Sequence, residues 1–279
     1  MTTNAPGRAG SLLLALLAVG GPALGSGRPP KTGSAEPGMR TYSPPDHPPP
    51  EPAATPELMQ MGERVYKGAC LGCHGEKGDG EGREGKYLPI PPRNFTVGQF
   101  TLRTTPSGSL PRGTDLFRTI RRGIRPDIDM ASFTFLSDRE VWAVIAYVRT
   151  FSPRWKEEKP GEPVVIAEPP PQTRPMVEAG RKVFMDTGCF ACHGEQGRGD
   201  GPAAAALTYD SGLPVKPANL TRPDWFKGGP TATDVYRTFI TGMDGTPMPS
   251  FADSLSEEQR WQLVYFVLSL GKPETSAQK

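Results

Sequence analysis

Two stretches of the chain carry apolar side chains at helical spacing, one near the middle and one near the end. In each stretch the apolar positions recur at i, i+3, i+4 and i+7, which places them on one face of an α-helix. The two sets match position by position: Val144, Tyr147, Val148 and Phe151, then Leu263, Phe266, Val267 and Leu270. A capping box precedes each set, Ser137 with Glu140 and Ser256 with Gln259, and predicts where each helix begins.

This doubling extends over most of the sequence. Each half opens with a predicted helix that has a proline near its first turn, Pro56 or Pro175, where the missing N–H costs nothing. A glycine lies four residues before an aromatic residue in each of these helices: Gly62 and Tyr66, then Gly180 and Phe184. We expect the first helix to pack on the last one, with the glycine allowing close approach.

A middle helix also recurs, at residues 114–119 and 233–238. No convincing alternating strand pattern appears anywhere in the chain. The sequence therefore predicts an all-α fold that consists of two similar helical domains.

Proline-rich segments separate these domains from the rest of the chain. Their composition predicts a disordered leader over residues 26–53 and a linker over residues 154–174. The predicted domains are therefore residues 54–153, the first half, and residues 175–272, the second half, with a short tail at 273–279. The 279 residues are enough for two ordinary domains.

The N-terminus resembles a secretory signal peptide over residues 1–25. Arg8 supplies a positive charge, residues 12–19 form a short apolar core, and Ala23, Leu24 and Gly25 form a cleavage site. Export to the periplasm is the expectation, and an uncleaved membrane anchor is the alternative. The net charge of +2 is not that of a nucleic-acid-binding protein.

The pentapeptide Cys-x-x-Cys-His occurs once in each half. The copies are Cys70, Cys73 and His74, and Cys189, Cys192 and His193, and they contain every cysteine of the chain. Two thiols at this spacing can form thioethers to the vinyl groups of one haem, and the adjacent imidazole can then reach the iron. The motifs predict two covalently attached haem c groups, with His74 and His193 as iron ligands.

Three other chemistries use paired cysteines. A zinc ribbon needs its two halves to converge on one metal, whereas each motif here has its own histidine and its own domain. A redox-active dithiol usually lies in a βαβ pattern, which is not found. A disulfide within Cys-x-x-Cys has awkward geometry. The remaining histidine, His47, lies in the proline-rich leader and is expected to be solvated.

The sixth iron ligand decides between an electron carrier and a catalyst, because an iron with both faces occupied cannot readily bind a substrate. A Met-x-Ser-Phe sequence follows the middle helix in both halves and offers Met130 and Met248. Met243 competes in the second half, but it aligns with Ile124, which cannot ligate. We therefore predict Met130 and Met248 as axial ligands, and both centres at the high-potential end.

With these residues in place, the chain resembles a dihaem cytochrome c built from two tandem class I c-type cytochrome domains, each a small helical fold around a covalent haem. The resemblance covers residues 54–153 and 175–272. It implies that a prolyl carbonyl after the haem motif accepts the imidazole N–H, and Pro92 and Pro217 are the matching positions.

The expected function is transfer of single electrons between periplasmic or respiratory redox proteins, without enzymatic activity of its own. For transfer between the haems, the haem-bearing faces of the two halves should approach one another. One alternative is an electron-transfer subunit of a larger respiratory complex, associated with a membrane. Another is a dihaem enzyme of the peroxidase or thiosulfate dehydrogenase type, which needs one iron that is open or ligated differently. The donor, the acceptor and the oligomeric state do not follow from the sequence.

Overall fold

The computed structural model describes residues 48–124 and 130–271. The proposed signal peptide, residues 26–47 of the leader with His47, and the tail at 273–279 lie outside these residues. In chain order the α-helices are α1 (Pro56–Ala69), α2 (Leu71–His74), α3 (Gly113–Arg122), α4 (Asp138–Val148), α5 (Arg154–Glu157), α6 (Arg174–Asp186), α7 (Phe190–His193), α8 (Ala232–Thr241) and α9 (Glu257–Leu270). Short 3₁₀ turns lie at Gly85–Tyr87, Arg149–Phe151, Ala204–Ala206 and Pro223–Trp225.

The all-α prediction is confirmed for the described residues. Extended pairing in this part of the chain is limited to two isolated bridges, Ile124 with Met130 and Thr208 with Pro214. The helices begin where the sequence predicts: both capping boxes close at the starts of α4 and α9, and Thr55 and Thr173 cap α1 and α6. Pro56 and Pro175 lie in the first turns of these two helices. No described helix has the length and apolar character that a bilayer crossing requires.

The first and last helices of each half cross at close range, as predicted. A Cβ atom on Gly62 would lie 2.1 Å from the carbonyl oxygen of Ala143, and one on Gly180 would lie 2.0 Å from that of Gln262. Beside each glycine an aromatic ring from the first helix contacts one from the last helix, with centroids 5.4 Å apart for Tyr66 and Tyr147. The corresponding distance for Phe184 and Phe266 is 5.2 Å. Both helices thereby bury their apolar faces.

Tyr66 adds one polar contact that its counterpart Phe184 cannot make. Its buried hydroxyl donates a hydrogen bond of 2.7 Å to the carbonyl of Gly75, the residue after the haem motif. Burial raises the pKa of this phenol, so the hydroxyl remains a donor across the ordinary pH range.

Replacing Tyr66 by phenylalanine should lower the free energy of unfolding by about 1 kcal/mol, because the buried Gly75 carbonyl loses one of its two donors and keeps only the N–H of Gly78, at 3.2 Å. Thermal unfolding of the haem-loaded protein would measure this loss. Unchanged stability in the variant would mean that the hydroxyl contributes nothing and that the first half tolerates the apolar ring as the second half does.

The end of the proline-rich leader and the linker both contact the helical halves. The indole N–H of Trp142 donates to the carbonyl of Pro49 at 3.1 Å, and Arg149 pairs with Glu51, so the end of the proline-rich leader lies against α4. The linker likewise bonds to the first half, where the N–H of Val164 donates to Thr104 at 2.8 Å. Its side chains at residues 164 and 166 pack against the core of the second half.

Candidate haem-binding sites

Each Cys-x-x-Cys-His motif forms one tight helical turn. The N–H groups of Cys73 and His74 both donate to the carbonyl of Cys70, at 3.2 and 2.9 Å. Residues i, i+3 and i+4 share one face of a helix, so both thiols and the imidazole lie on the same side. In the second half Cys192 and His193 donate to Cys189 at 3.3 and 2.9 Å. The three groups that would hold one haem are therefore brought together twice.

Backbone carbonyls orient both histidine rings. Nδ1 of His74 lies 3.0 Å from the carbonyl oxygen of Arg93, and Nδ1 of His193 lies 3.0 Å from that of Ala218. A carbonyl only accepts, so each Nδ1 carries the proton and leaves the lone pair of Nε2 free to bind a metal. Burial lowers the pKa of both histidines, which keeps the rings neutral. A neutral imidazole with an unprotonated Nε2 is the form that binds a haem iron.

The prediction that Pro92 and Pro217 supply these carbonyls is wrong by one residue. The prolyl carbonyls are turned toward the glycine-rich loops: a Cβ on Gly80 or on Gly199 would lie 2.8 Å from the oxygen of Pro92 or Pro217. Both glycines have positive φ, +85° and +79°, so the loops need residues without a side chain there. The next residue along the chain, Arg93 or Ala218, then presents its carbonyl to the imidazole.

The cysteines are partly buried thiols without disulfide partners. Burial raises the pKa of Cys70 to about 12 and that of Cys189 to about 11, whereas reactive dithiols depend on a lowered pKa. Within residues 48–124 and 130–271, no three His, Cys, Asp or Glu side chains are grouped so as to hold a metal ion. The zinc and dithiol alternatives therefore lack their characteristic surroundings in this part of the chain.

The two predicted axial methionines occupy matched loops between the middle and last helices. The carbonyl of Met130 accepts from the N–H of Ile124 at 2.9 Å, and the carbonyl of Met248 accepts from the N–H of Met243 at 3.0 Å. Met243 therefore occupies in the second half the position that Ile124 occupies in the first, as the alignment of the two halves predicts. Both methionines are half-buried, and Met248 packs against the core of the second half. The assignment of Met130 and Met248 as axial ligands stays a prediction.

The sequence also offers Arg103 and Trp225 as candidate hydrogen-bond partners of haem propionates. The side chain of Arg103 is fully buried, and its guanidinium donates to the carbonyl of Thr241 and to Asp244, both at 2.7 Å. It therefore connects the two halves. Trp225 is 42% exposed and lies under the guanidinium of Arg222, 4.3 Å from the ring centroid, at the surface. Sequence reasoning did not identify Arg93, Ala218 or Asp244, because backbone acceptors and contacts between the halves leave no motif.

Comparison with known proteins agrees with this geometry. A family model described as cytochrome c matches residues 177–271, and one described as cytochrome C oxidase, cbb3-type, subunit III, matches residues 57–148. The chain is 25% identical over 225 residues to the cbb3-type cytochrome c oxidase subunit CcoP of Azospirillum brasilense. It is 26% identical over 227 residues to the subunit FixP of Azorhizobium caulinodans. These alignments cover 76% and 77% of this chain and 62% of each oxidase subunit.

A solved structure is also similar. It is a chain of the reducing HAO-like protein complex Kustc0457/Kustc0458 of Kuenenia stuttgartiensis, with 40% sequence identity and a TM-score of 0.74. The match covers 80% of this chain and 99% of that one.

Both halves are therefore cytochrome c domains, which bind haem c covalently. The chain as a whole belongs to the dihaem c-type cytochromes, a class of electron-transfer proteins. These findings confirm the predicted class and the tandem all-α domains.

Proposed function

We propose that this protein relays single electrons through two haem c groups, one in each half. Cys70 and Cys73 would attach the first haem, with His74 and Met130 on its iron. Cys189 and Cys192 would attach the second, with His193 and Met248. One observation supports this proposal most strongly. In each half a neutral histidine, with its Nε2 free to bind a metal, lies on the same face of a helical turn as two cysteines. In this proposal the chain works in the periplasm.

The protein's own contribution is to keep both iron faces occupied and the imidazoles fixed. The haem iron, when bound, supplies the one-electron chemistry. A thioether ligand raises the reduction potential, and the backbone carbonyls at Arg93 and Ala218 fix the ring orientation and tautomer of the opposite ligand. A dihaem enzyme needs one iron whose sixth position is open or holds a different ligand. The matched loops of Met130 and Met248 instead favour a methionine ligand on both irons.

We further propose that the chain acts as the electron-transfer subunit of a larger complex. Its similarity to nearly the full length of a chain from a reducing complex supports this role, as does its similarity to two oxidase subunits. In a reducing assembly, the corresponding task is to pass electrons toward the partner that carries out the reduction. The donor would then be another redox protein on the exported side of the membrane.

An anaerobic potentiometric titration of the haem-loaded protein, followed by absorbance, tests the central proposal. We expect two one-electron steps, both in the high-potential range of histidine–methionine ligation, and the weak near-infrared band of methionine-ligated ferric haem. The reduced protein should not bind carbon monoxide. A single haem per chain, or rapid stoichiometric binding of carbon monoxide by the unmodified protein, would overturn the proposal.

A further inference from the structure

Asp244 belongs to the second half, but donors from the first half surround it. Arg103 donates to its Oδ1 at 2.7 Å, the hydroxyl of Ser107 donates to the same oxygen at 2.8 Å, and the N–H of Gly108 donates to Oδ2 at 2.8 Å. Its backbone carbonyl accepts from the hydroxyl of Thr101 at 2.9 Å. A loop of the first half, residues 101–108, therefore holds this one residue of the second half.

This contact is buried. The side chain of Arg103 has no exposed surface, and that of Asp244 is 10% exposed. A charged pair out of water depends strongly on both partners, because removal of one leaves the other without a counter-charge. The same guanidinium also donates to the carbonyl of Thr241, at the end of α8. The interface therefore holds Asp244 firmly in place, whereas the exposed ion pairs elsewhere on the surface contribute little to stability.

Asp244 is also the second residue of the turn that leads to Met248. The N–H of Thr246 donates to the carbonyl of Met243 at 3.0 Å, and the N–H of Met248 donates to the hydroxyl of Thr246 at 3.2 Å. The turn then closes through the bond from the N–H of Met243 to the carbonyl of Met248. Whatever holds Asp244 therefore also holds the backbone of Met248.

The same contacts lead back to the first haem motif. Arg93, whose carbonyl accepts from His74, bonds through its guanidinium to the hydroxyl of Thr101. That guanidinium also lies against the backbone of Gly245, where a Cβ would be 2.6 Å from its Nη1. The histidine side of the first site and the methionine side of the second site therefore share one hydrogen-bonded interface.

We propose that Asp244 is a positioning residue through which the first half holds the Met248 loop in place for ligation of the second iron. This inference rests on the proposed function, in which Met248 is that ligand. The second site then depends on residues of the first half, whereas nothing in the sequence of the second half alone indicates such a dependence.

The experiment uses the full-length, haem-loaded protein in its reduced form. Proton NMR detects the methyl group of each axial methionine as a signal shifted far upfield by the haem ring current, and the variants Met130→Ala and Met248→Ala assign the two signals. We expect Asp244→Ala to weaken or abolish the Met248 signal and leave the Met130 signal. The near-infrared band of the oxidised protein should fall to about half.

Variants of the first half provide the decisive comparison. Ser107→Ala removes one donor to Asp244, and Thr101→Val removes another together with the acceptor of the Arg93 guanidinium. Both should shift or broaden the Met248 signal although they lie in the other domain, and the Ser107 variant is the cleaner test. Asp253→Asn is the matched control, since it removes an exposed carboxylate from the same loop region of the second half, and both signals should persist. If Asp244→Ala fails to fold, these milder variants still decide the question.

Two negative results are distinguishable. If the unmodified protein lacks the two upfield methyl signals, the proposed ligation itself is wrong. If it has both, and the Met248 signal is unchanged in Asp244→Ala, Thr101→Val and Ser107→Ala, then only the positioning role of Asp244 is overturned.

Discussion

Replacing Met248 by alanine should open one haem iron to carbon monoxide and leave the other closed. Under the proposed ligation, loss of the thioether would free one face of the iron bound by His193, whereas the iron bound by His74 and Met130 would keep both ligands. The potential of the altered centre should fall, by a substantial part of the roughly 0.8 V over which axial ligands set haem potentials. Carbon monoxide titration of the reduced variant, followed by absorbance, measures the fraction of haem that binds.

Met243→Ile is the matched control for this prediction. The first half has Ile124 at the corresponding place, with the same backbone hydrogen bond, so isoleucine fits the loop. This variant should remain closed to carbon monoxide. Met130→Ala should open the other iron, and the double variant should open both. If Met243→Ile opens a haem while Met248→Ala does not, the ligand assignment in the second half is wrong.

Replacing Gly62 or Gly180 by alanine should be strongly destabilising. The new methyl group would lie about 2 Å from a backbone carbonyl oxygen of the facing helix, and a helix backbone cannot turn aside as a side chain can. We expect a loss of about 3 kcal/mol, at the upper end of the usual cost of overpacking. Such a loss lowers the melting temperature by about 6–12 °C for a cooperative unit of this size. Thermal unfolding of the haem-loaded variants, followed by circular dichroism, measures it.

Gly68→Ala separates this steric effect from the ordinary cost of changing a helical glycine. Gly68 lies in the same helix as Gly62, and a Cβ on it would meet no atom within 4 Å. Alanine there should be neutral or stabilise the protein by about 0.5 kcal/mol, since it reduces the conformational freedom of the unfolded chain. Equal stability of Gly62→Ala and Gly68→Ala would contradict the close crossing of the helices.

Local features of the fold could be predicted from the sequence because they depend on neighbouring residues. Ser137 and Glu140 form a capping box within one turn, and the apolar spacing after it follows from helix geometry alone. The repeat added information that one copy lacks: the alignment of Ile124 with Met243 distinguishes the two methionines of the second half. The thiols and the histidine of each motif are also close in sequence, so their shared face needs no tertiary information.

Features that join distant segments could not be predicted in the same way. The carbonyl that orients His74 comes from Arg93, and backbone carbonyls are present at every residue, so the sequence does not mark the one that is used. Asp244 and Arg103 are separated by more than 100 positions, and a charged residue in a loop normally indicates a solvated surface. The domain boundaries and the methionine ligands remain predictions, to be tested by the variants above.

The contacts of the linker with both halves bear on how the molecule denatures. Neither half can lose its structure without exposing apolar surface of the linker or the buried guanidinium of Arg103. Heat should therefore melt the two domains in a single cooperative transition, although each has its own core. A destabilising substitution at one helix crossing would then lower the melting temperature of both domains.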